Sequence, residues 1–421
     1  MIKFDDATLS GKQSSHPDSL RNNTSCKKII VLTGGGTAGH VYPNVALFPE
    51  LGKIFDEIHY IGSQNGPEKA IVEAIRKSHP KVTYHAITTA KLKRSLAISN
   101  FATPFKVLKG ISEAKKIIKK LSPSVIFSKG GFVAYPVVSA GAKYNVPVIV
   151  HESDLSVGLA NRMSFKHASV ICTTFEKTAV DIRNCLGGSL KASSETKSSS
   201  GSVSGSSDKS RNRVIVTHTG TPLRKELFRG IASNIIAQYA GQFEFAKKNL
   251  LVIGGSSGAK AINDVIGVNV AKLCGHFNIL HATGKGKPTK VKLAGITGYV
   301  AVEYLENIKD AYAWADVIIS RAGSGAIGEI IALKKPALFV PLRTGRGDQI
   351  QNACLIEKHG VGVVVSEEKL HGIDLVHALF ELLNSKEEIV ERCDGFLPSN
   401  GVENVMGVVR GAIVRKNRIN N

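Results

Sequence analysis

KIIVLTGGGTAGH, at residues 28–40, joins a β-branched apolar run to three glycines and then to the start of a helical stretch. A strand that ends in glycines and feeds a helix is the opening unit of a parallel α/β sheet. Glycine permits a turn with positive φ and a close approach of ligand to backbone, and amides at a helix N-terminus bind anions. Thr33, Gly34, Gly35, Gly36 and Thr37 are therefore candidate substrate-binding residues, with His40 beside them. A dinucleotide site also needs an acid at the end of the second strand. Here His59–Gly62 runs into Ser63-Gln64, which disfavours NAD.

The same unit recurs outward from this stretch. Short apolar runs follow at His59–Gly62, Val82–Thr88, Val125–Ser128, Val148–His151, Val170–Thr173 and Val214–Thr217. A second set begins at Leu250–Gly254 and continues through Ile279–Thr283, Val317–Ser320, Ala337–Pro341 and Val361–Val365. Apolar runs separated by helices predict parallel strands with crossover helices, and two tandem sets predict two Rossmann-like domains. Further glycine-rich turns stand at Gly254–Lys260 and Ser320–Glu329. A tight strand-to-helix turn accounts for either loop taken singly. Glu329 suits both hydroxyls of a ribose, or simply a helix dipole.

Length and composition agree. The 421 residues are too many for one compact domain. Forty-one glycines with 6% aromatics suit α/β turns rather than a β-sandwich. The longest apolar stretch, near Gly130–Ala142, contains Pro136 and stops at Lys143, short of a membrane span. The N-terminus lacks the apolar core of a signal peptide. Six scattered cysteines form no zinc spacing and read as buried thiols. The net charge of +21 points to an anionic membrane, substrate or nucleic acid. No nucleic-acid module or aromatic–basic interleaving accompanies it.

Residues 1–27 read as a flexible arm. Serine fills 11 of the 22 positions from Ser189 to Ser210, so 187–212 reads as a flexible insertion in the first domain. The domains are then 28–222 and 223–400, with a tail at 401–421 that could pack back on the first domain.

The motifs GGGTAGHVYP, KLKR, SKGGFVAYPV, HESDLSVGLANR, GTPLR, GGSSGAK, AWADVIISRAGSGAIGE and GDQIQNA occur in one order from Lys28 onward. They resemble the MurG family, UDP-N-acetylglucosamine:undecaprenyl-diphospho-muramoyl-pentapeptide N-acetylglucosaminyltransferases. The resemblance implies a GT-B fold: two Rossmann-like domains with parallel sheets facing a central cleft. It implies a lipid-linked acceptor in the first domain and UDP-GlcNAc, a substrate and not a cofactor, in the second. By motif, His40 matches the candidate general base, and Asp154 stands where many relatives have Asn and others share HESD. Arg224, Ser256, Leu305, Ser324, Gly325, Ala326, Ile327, Gly328, Glu329 and Gln349 match the donor site. No D-x-D motif occurs, which fits a metal-independent reaction. A transferase for a diacylglycerol or dolichol-linked acceptor, and a non-catalytic nucleotide-sugar or polyanion binder, are the other readings.

A lipid acceptor without a membrane span requires a docking surface. Residues 81–120 hold ten Lys/Arg against one acid, Glu113. Lys91, Lys93, Arg94, Lys106 and Lys109 interleave with Phe101 and Phe105, as an interfacial anchor requires. Solvated lysines around core-facing apolar residues are the alternative. The implied place is the cytoplasmic face of the cell membrane.

Overall fold

The computed structural model describes residues 27–90, 103–195, 214–255, 258–287, 296–344, 347–398 and 400–420. The first sheet has seven parallel strands: β1 (Ile29–Thr33), β2 (Glu57–Ser63), β3 (Val82–Ile87), β4 (Val125–Ser128), β5 (Val148–Glu152), β6 (Val170–Thr173) and β7 (Ile215–His218). Their spatial order is β3-β2-β1-β4-β5-β6-β7. The second has six, β8 (Lys248–Ile253), β9 (Phe277–Ala282), β10 (Tyr299–Val302), β11 (Val317–Ser320), β12 (Ala337–Phe339) and β13 (Val363–Val364). Their order is β10-β9-β8-β11-β12-β13.

Strand periodicity builds the core. Successive side chains of β1 point to opposite faces. Ile30 and Leu32 join Phe127 and Ile149 in one apolar layer, while Val31 joins Ile126, Val148 and Ile171 in the other. Helices Thr103–Leu121 and Ala134–Lys143 cover the second layer with Ala114, Ile118, Val137 and Val138. A sheet covered on both faces has few polar positions, so its strands read as continuous apolar runs.

The first layer is closed by residues from the far end of the chain. Helix Gly401–Asn420 places Val402, Val405, Met406, Val409 and Ala412 against it. Asn404 Nδ2 donates to Thr219 O at 3.1 Å, and Lys416 Nζ donates to Pro123 O at 2.9 Å. The chain thus crosses between domains twice. The crossings touch: a Cβ on Gly401 would stand 2.3 Å from Thr221 O. Leu227 and Ile235, just beyond the first crossing, pack in the second domain's core.

Three features differ from the sequence reading. Helix Glu176–Glu195 runs into the segment assigned to a flexible insertion from 187. Elongating a formed helix costs far less than nucleating one, and Leu190, Lys191 and Ala192 are good formers; residues 196–213 lie outside the described part. Strand β10 was not among the apolar runs, because it is an edge strand with only Tyr299 buried. Cys185 and Cys354 are exposed on helices, not buried. Among the described residues, no helix is long and apolar enough to cross a membrane.

Met406→Ala empties a buried site between the last helix and the first sheet. It should cost about 2–5 kcal/mol of stability, read as a lower midpoint in denaturant unfolding of the full chain.

Candidate active site

Two glycine loops meet at the carboxyl ends of adjacent strands. Thr33 of β1 pairs in register with Ser128 of β4. The loops that follow are held together by backbone: Gly35 N donates to Gly130 O at 3.3 Å, and Lys129 N donates to Thr33 O at 2.8 Å. A Cβ on Gly131 would stand 2.2 Å from Gly35 O. Gly36 (φ +86°) and Gly131 (φ +83°) adopt the left-handed region that favours glycine.

The buried Glu68 lies beneath this crossing. Its carboxylate accepts from Gly36 N at 3.1 Å, from Ser63 N at 2.9 Å and from the Ser63 hydroxyl. An amide that a phosphate could use is thus taken by the protein. Thr33 is also buried, its Oγ1 donating to Ile61 O at 2.9 Å. Thr33, Gly34 and Gly35 therefore shape the loop from below, whereas Gly36 and Thr37 reach its surface. His40 Nδ1 lies 3.0 Å from Thr37 Oγ1. The tautomer that donates Nδ1–H to Thr37 makes Nε2 the basic nitrogen.

The end of β5 forms a second polar cluster. Glu152 is buried and staples the following turn. It accepts from Ser153 N at 2.8 Å, Asp154 N at 3.1 Å, Gly158 N at 3.0 Å and Asn161 Nδ2 at 3.0 Å. Burial raises its pKa, Asp154 adds to this, and the donors oppose it. Lys129 is fully buried, with Nζ 2.7 Å from His151 Nδ1 and bonded to the Ser153 hydroxyl. Burial brings the lysine down to about 8, against the opposing pull of Glu152 and Asp154. Burial also holds His151 well below the ordinary histidine value. Its Nε2 meets the Gly220 carbonyl at 2.9 Å. A carbonyl only accepts, so Nε2 bears the proton and Nδ1 accepts from Lys129.

The second domain faces these loops with helix Ser324–Ala332, which starts after β11. Glu329 Oε2 accepts from Tyr312 OH at 3.0 Å, and Arg224 Nη2 lies 3.7 Å from Glu329 Oε1. Burial raises the Glu329 pKa, opposed by Arg224 and Tyr312. The Arg224 guanidinium sits 4.3 Å over the Tyr42 ring, and its buried Nε has no hydrogen-bond partner. Gln349 Oε1 accepts from Leu342 N at 3.0 Å, leaving its amide nitrogen toward Gly323. Leu305 is buried at the cleft edge.

The domains touch across the cleft. Tyr42 OH and Tyr304 OH lie 3.0 Å apart. Asn352 Nδ2 lies 3.5 Å from Asp154 Oδ1, and Leu155 N donates to Asn352 Oδ1 at 3.3 Å. The Ser156 hydroxyl donates to Asp348. His40 and Asp154 are thus on the first domain's side, and Arg224, Leu305, Ser324–Glu329 and Gln349 on the other. Ser256, Lys91, Lys93, Arg94 and Phe101 lie outside the described residues. Sequence reasoning missed Glu68, Lys129, Tyr42 and Tyr312; Tyr42 and Lys129 stand inside the motifs GGGTAGHVYP and SKGG. Among the described residues no three His, Cys, Asp or Glu side chains gather as a metal site would require.

Residues 30–173 match the glycosyltransferase family 28 N-terminal domain, and 249–399 match the family's C-terminal domain. A protein of Clostridium novyi (strain NT) is 38% identical over 384 residues, covering 90% of this chain and 97% of its own. It is named UDP-N-acetylglucosamine–N-acetylmuramyl-(pentapeptide) pyrophosphoryl-undecaprenol N-acetylglucosamine transferase. One of Clostridium tetani (strain Massachusetts / E88), with the same name, is 38% identical over 394 residues, 93% of this chain and 100% of its own. The chain belongs to the MurG family of glycosyltransferases. The crystal structure of Acinetobacter baumannii MurG shares the fold with a TM-score of 0.62 at 23% identity, covering 91% of this chain and 99% of that one. A UDP-GlcNAc 2-epimerase from Neisseria meningitidis shares it with a TM-score of 0.59 at 14% identity, covering 92% and 100%. The MurG-family chain described here is thus a glycosyltransferase with two parallel-sheet, Rossmann-like domains in the GT-B arrangement.

In the donor-site role that the resemblance implies, Glu329 would accept both ribose hydroxyls as a carboxylate. Its pKa is raised, so nucleotide affinity should weaken as pH falls through a value above the ordinary glutamate range. Glu329→Ala should weaken UDP affinity about tenfold or more and flatten that pH dependence, both read by calorimetric titration.

Proposed function

We propose that this chain transfers N-acetylglucosamine from UDP-GlcNAc to the C4 hydroxyl of the muramoyl sugar in undecaprenyl-diphospho-MurNAc-pentapeptide, a step of peptidoglycan synthesis. The observation that carries it is Arg224. A half-buried guanidinium with a buried, unpartnered Nε, a ring beneath it and a carboxylate 3.7 Å away has donors to offer an anion. It stands beside Glu329, a glutamate suited to ribose, within the helix Ser324–Ala332 whose first amides suit a diphosphate. Across the cleft, the glycine loops, His40 and Asp154 offer a place for a sugar hydroxyl. The names of the Clostridium relatives support the same pair of substrates.

The reaction is a single displacement. The C4 hydroxyl attacks the anomeric carbon, the bond to the UDP oxygen breaks, and α becomes β. A base takes the hydroxyl proton late in the step. In this reading His40 Nε2 is that base, and Thr37 fixes its ring. Asp154 holds the acceptor or shares the proton. Arg224 and the helix amides stabilise the charge gathering on UDP, the role a metal fills elsewhere; the reading therefore needs neither metal nor cofactor. Product analysis with UDP-GlcNAc and the lipid-linked acceptor, beside donor hydrolysis without acceptor, tests it. Hydrolysis without transfer would overturn the acceptor assignment. His40→Ala should lower turnover by about 10²–10⁴-fold while UDP still binds, and EDTA should leave the wild-type rate unchanged. Equal damage from Asp154→Asn would give Asp154 a share in the proton transfer.

The same reading places the protein peripherally on the cytoplasmic face of the cell membrane, with no nucleic-acid partner. Helix Thr103–Leu121 supports this: Phe105 is 76% and Leu108 64% exposed, beside exposed Lys106 and Lys109. Exposed apolar side chains among lysines suit an anionic leaflet, at about 1 kcal/mol per basic group. Reversing Lys93, Arg94, Lys106 and Lys109 to Glu should abolish co-sedimentation with anionic vesicles and spare UDP binding. High salt should act likewise. Sedimentation of the reversed protein with those vesicles would remove this surface from the reading.

A further inference from the structure

A lysine is almost never fully buried without a task for its charge. Lys129 has no exposed surface, and it lies where three loops cross. Its backbone N–H holds Thr33 O at the head of the first glycine loop, and the next residue's carbonyl receives Gly35 N. Its side chain leaves β4 entirely and ends on the β5 turn, at the Ser153 hydroxyl and His151 Nδ1. His151 passes the connection to Gly220 O, at the first crossing between domains. Gly220 has φ +73°, and a Cβ there would stand 3.0 Å from Pro398 O on the returning strand of chain.

The charges follow the same plan. Glu152 is buried and Asp154 lies two residues on, so the turn brings two carboxylates together. Glu152 receives four N–H groups, none of them from a cation. The Lys129 ammonium is the cation that offsets the pair from inside the fold. Without it, two like charges would share a poorly solvated turn, and the hydroxyl of Ser153 would lose its partner.

We propose that Lys129 is a positioning residue for the acceptor half of the site: its ammonium fixes the turn that carries Asp154 against the loop that carries His40, and balances the two carboxylates of that turn. The proposal rests on the functional reading above for its kinetic test and on geometry alone for its structural one. Fully buried, Lys129 offers no surface to a ligand. It acts through Ser153, His151 and Asp154.

The groups facing this ammonium are Glu152 and Asp154 on the turn, neutral His151 on β5, and Cys172 on β6, whose thiol burial pushes up to about 12. His218 on β7 faces His151. Burial holds the imidazole neutral and the thiol protonated, and it brings the lysine down to about 8, against the pull of Glu152 and Asp154. Acceptor-side kcat/KM should therefore fall as pH rises through about 8, as the ammonium loses its proton. UDP affinity should show no such limb.

The test uses the full chain with Lys129→Met, of similar length and no charge, and Lys129→Gln, which keeps a donor without the charge. With UDP-GlcNAc and the lipid-linked acceptor, Lys129→Met should lose about tenfold or more in acceptor kcat/KM, keep the donor KM within about twofold, and lose the alkaline limb. Lys129→Gln should also lose the limb. Amide exchange by mass spectrometry should quicken at residues 151–158 in Lys129→Met and stay unchanged from Lys248 to Phe339. A wild-type profile without the limb, or acceptor constants in Lys129→Met equal to wild type, overturns the proposal. Unchanged exchange at 151–158 overturns it without any substrate. A wild type that turns over no lipid-linked acceptor defeats the functional reading instead, and the exchange measurement still decides the role of Lys129. Should Lys129→Met not fold, the wild-type profile and Lys129→Gln decide it.

Discussion

Two stretches of backbone, at Gly35 and Gly131, come so close that no side chain fits between them. The rest of the acceptor side follows from this contact. Strands β1 and β4 are neighbours, so the loops leaving them emerge side by side and must cross within one strand spacing. With glycine at the crossing they interlock through a backbone hydrogen bond. The crossing sets where the chain turns into its first helix, and so where His40 stands. It also leaves the Gly36 amide to be satisfied from below by Glu68, which Ser63 holds in place. A loop that resembles a phosphate cradle in sequence is in part a closed structural joint.

Both halves of the cleft keep buried polar atoms without a partner, Asn44 Oδ1 and Asn161 Oδ1 in the first domain and Arg224 Nε across from them. On the first domain's side, Lys129 bonds His151 and the Ser153 hydroxyl, and Asn161 bonds Glu152, all with little exposure. Such a network is costly to disturb and holds a single geometry. On the second domain's side, Arg224 has an orphaned Nε, a loose ion pair to Glu329 and a ring contact with Tyr42 of the opposite domain. Polar groups left in that state favour a ligand that completes them.

Most of the architecture is legible in the sequence because buried parallel strands leave few polar positions. Ile29–Thr33, Val125–Ser128, Val170–Thr173 and Val317–Ser320 are recognisable with their bounds intact. Tyr299–Val302 is not, since an edge strand alternates and its one buried residue gives no run. Helix Glu176–Glu195 hides in serine-rich composition for a related reason, as composition reports burial and not backbone state. In the site, the donor helix and the glycine loops are legible through their motifs. Lys129 and Tyr42 stand inside those motifs, yet their partners lie 22 and 262 residues away. A lysine between a strand and two glycines reads as solvated. Only the sheet order, which sets β5 beside β4, turns it inward.

The helix Gly401–Asn420 supplies part of the wall of the first domain's apolar layer, although nearly two hundred residues separate it from β7 in the chain. Domains made in order from the ribosome usually fold in order. Here part of the first domain's wall is missing until the last helix emerges, by which time the sheet of the second domain has been made. Phe48, Leu51 and Val72 already belong to that layer, but β4 and β6 wait for the helix that packs against them, so the domain synthesised first is the one completed last. A message truncated after Pro398 would encode every strand of both sheets and still yield a first domain with part of one apolar face open to water.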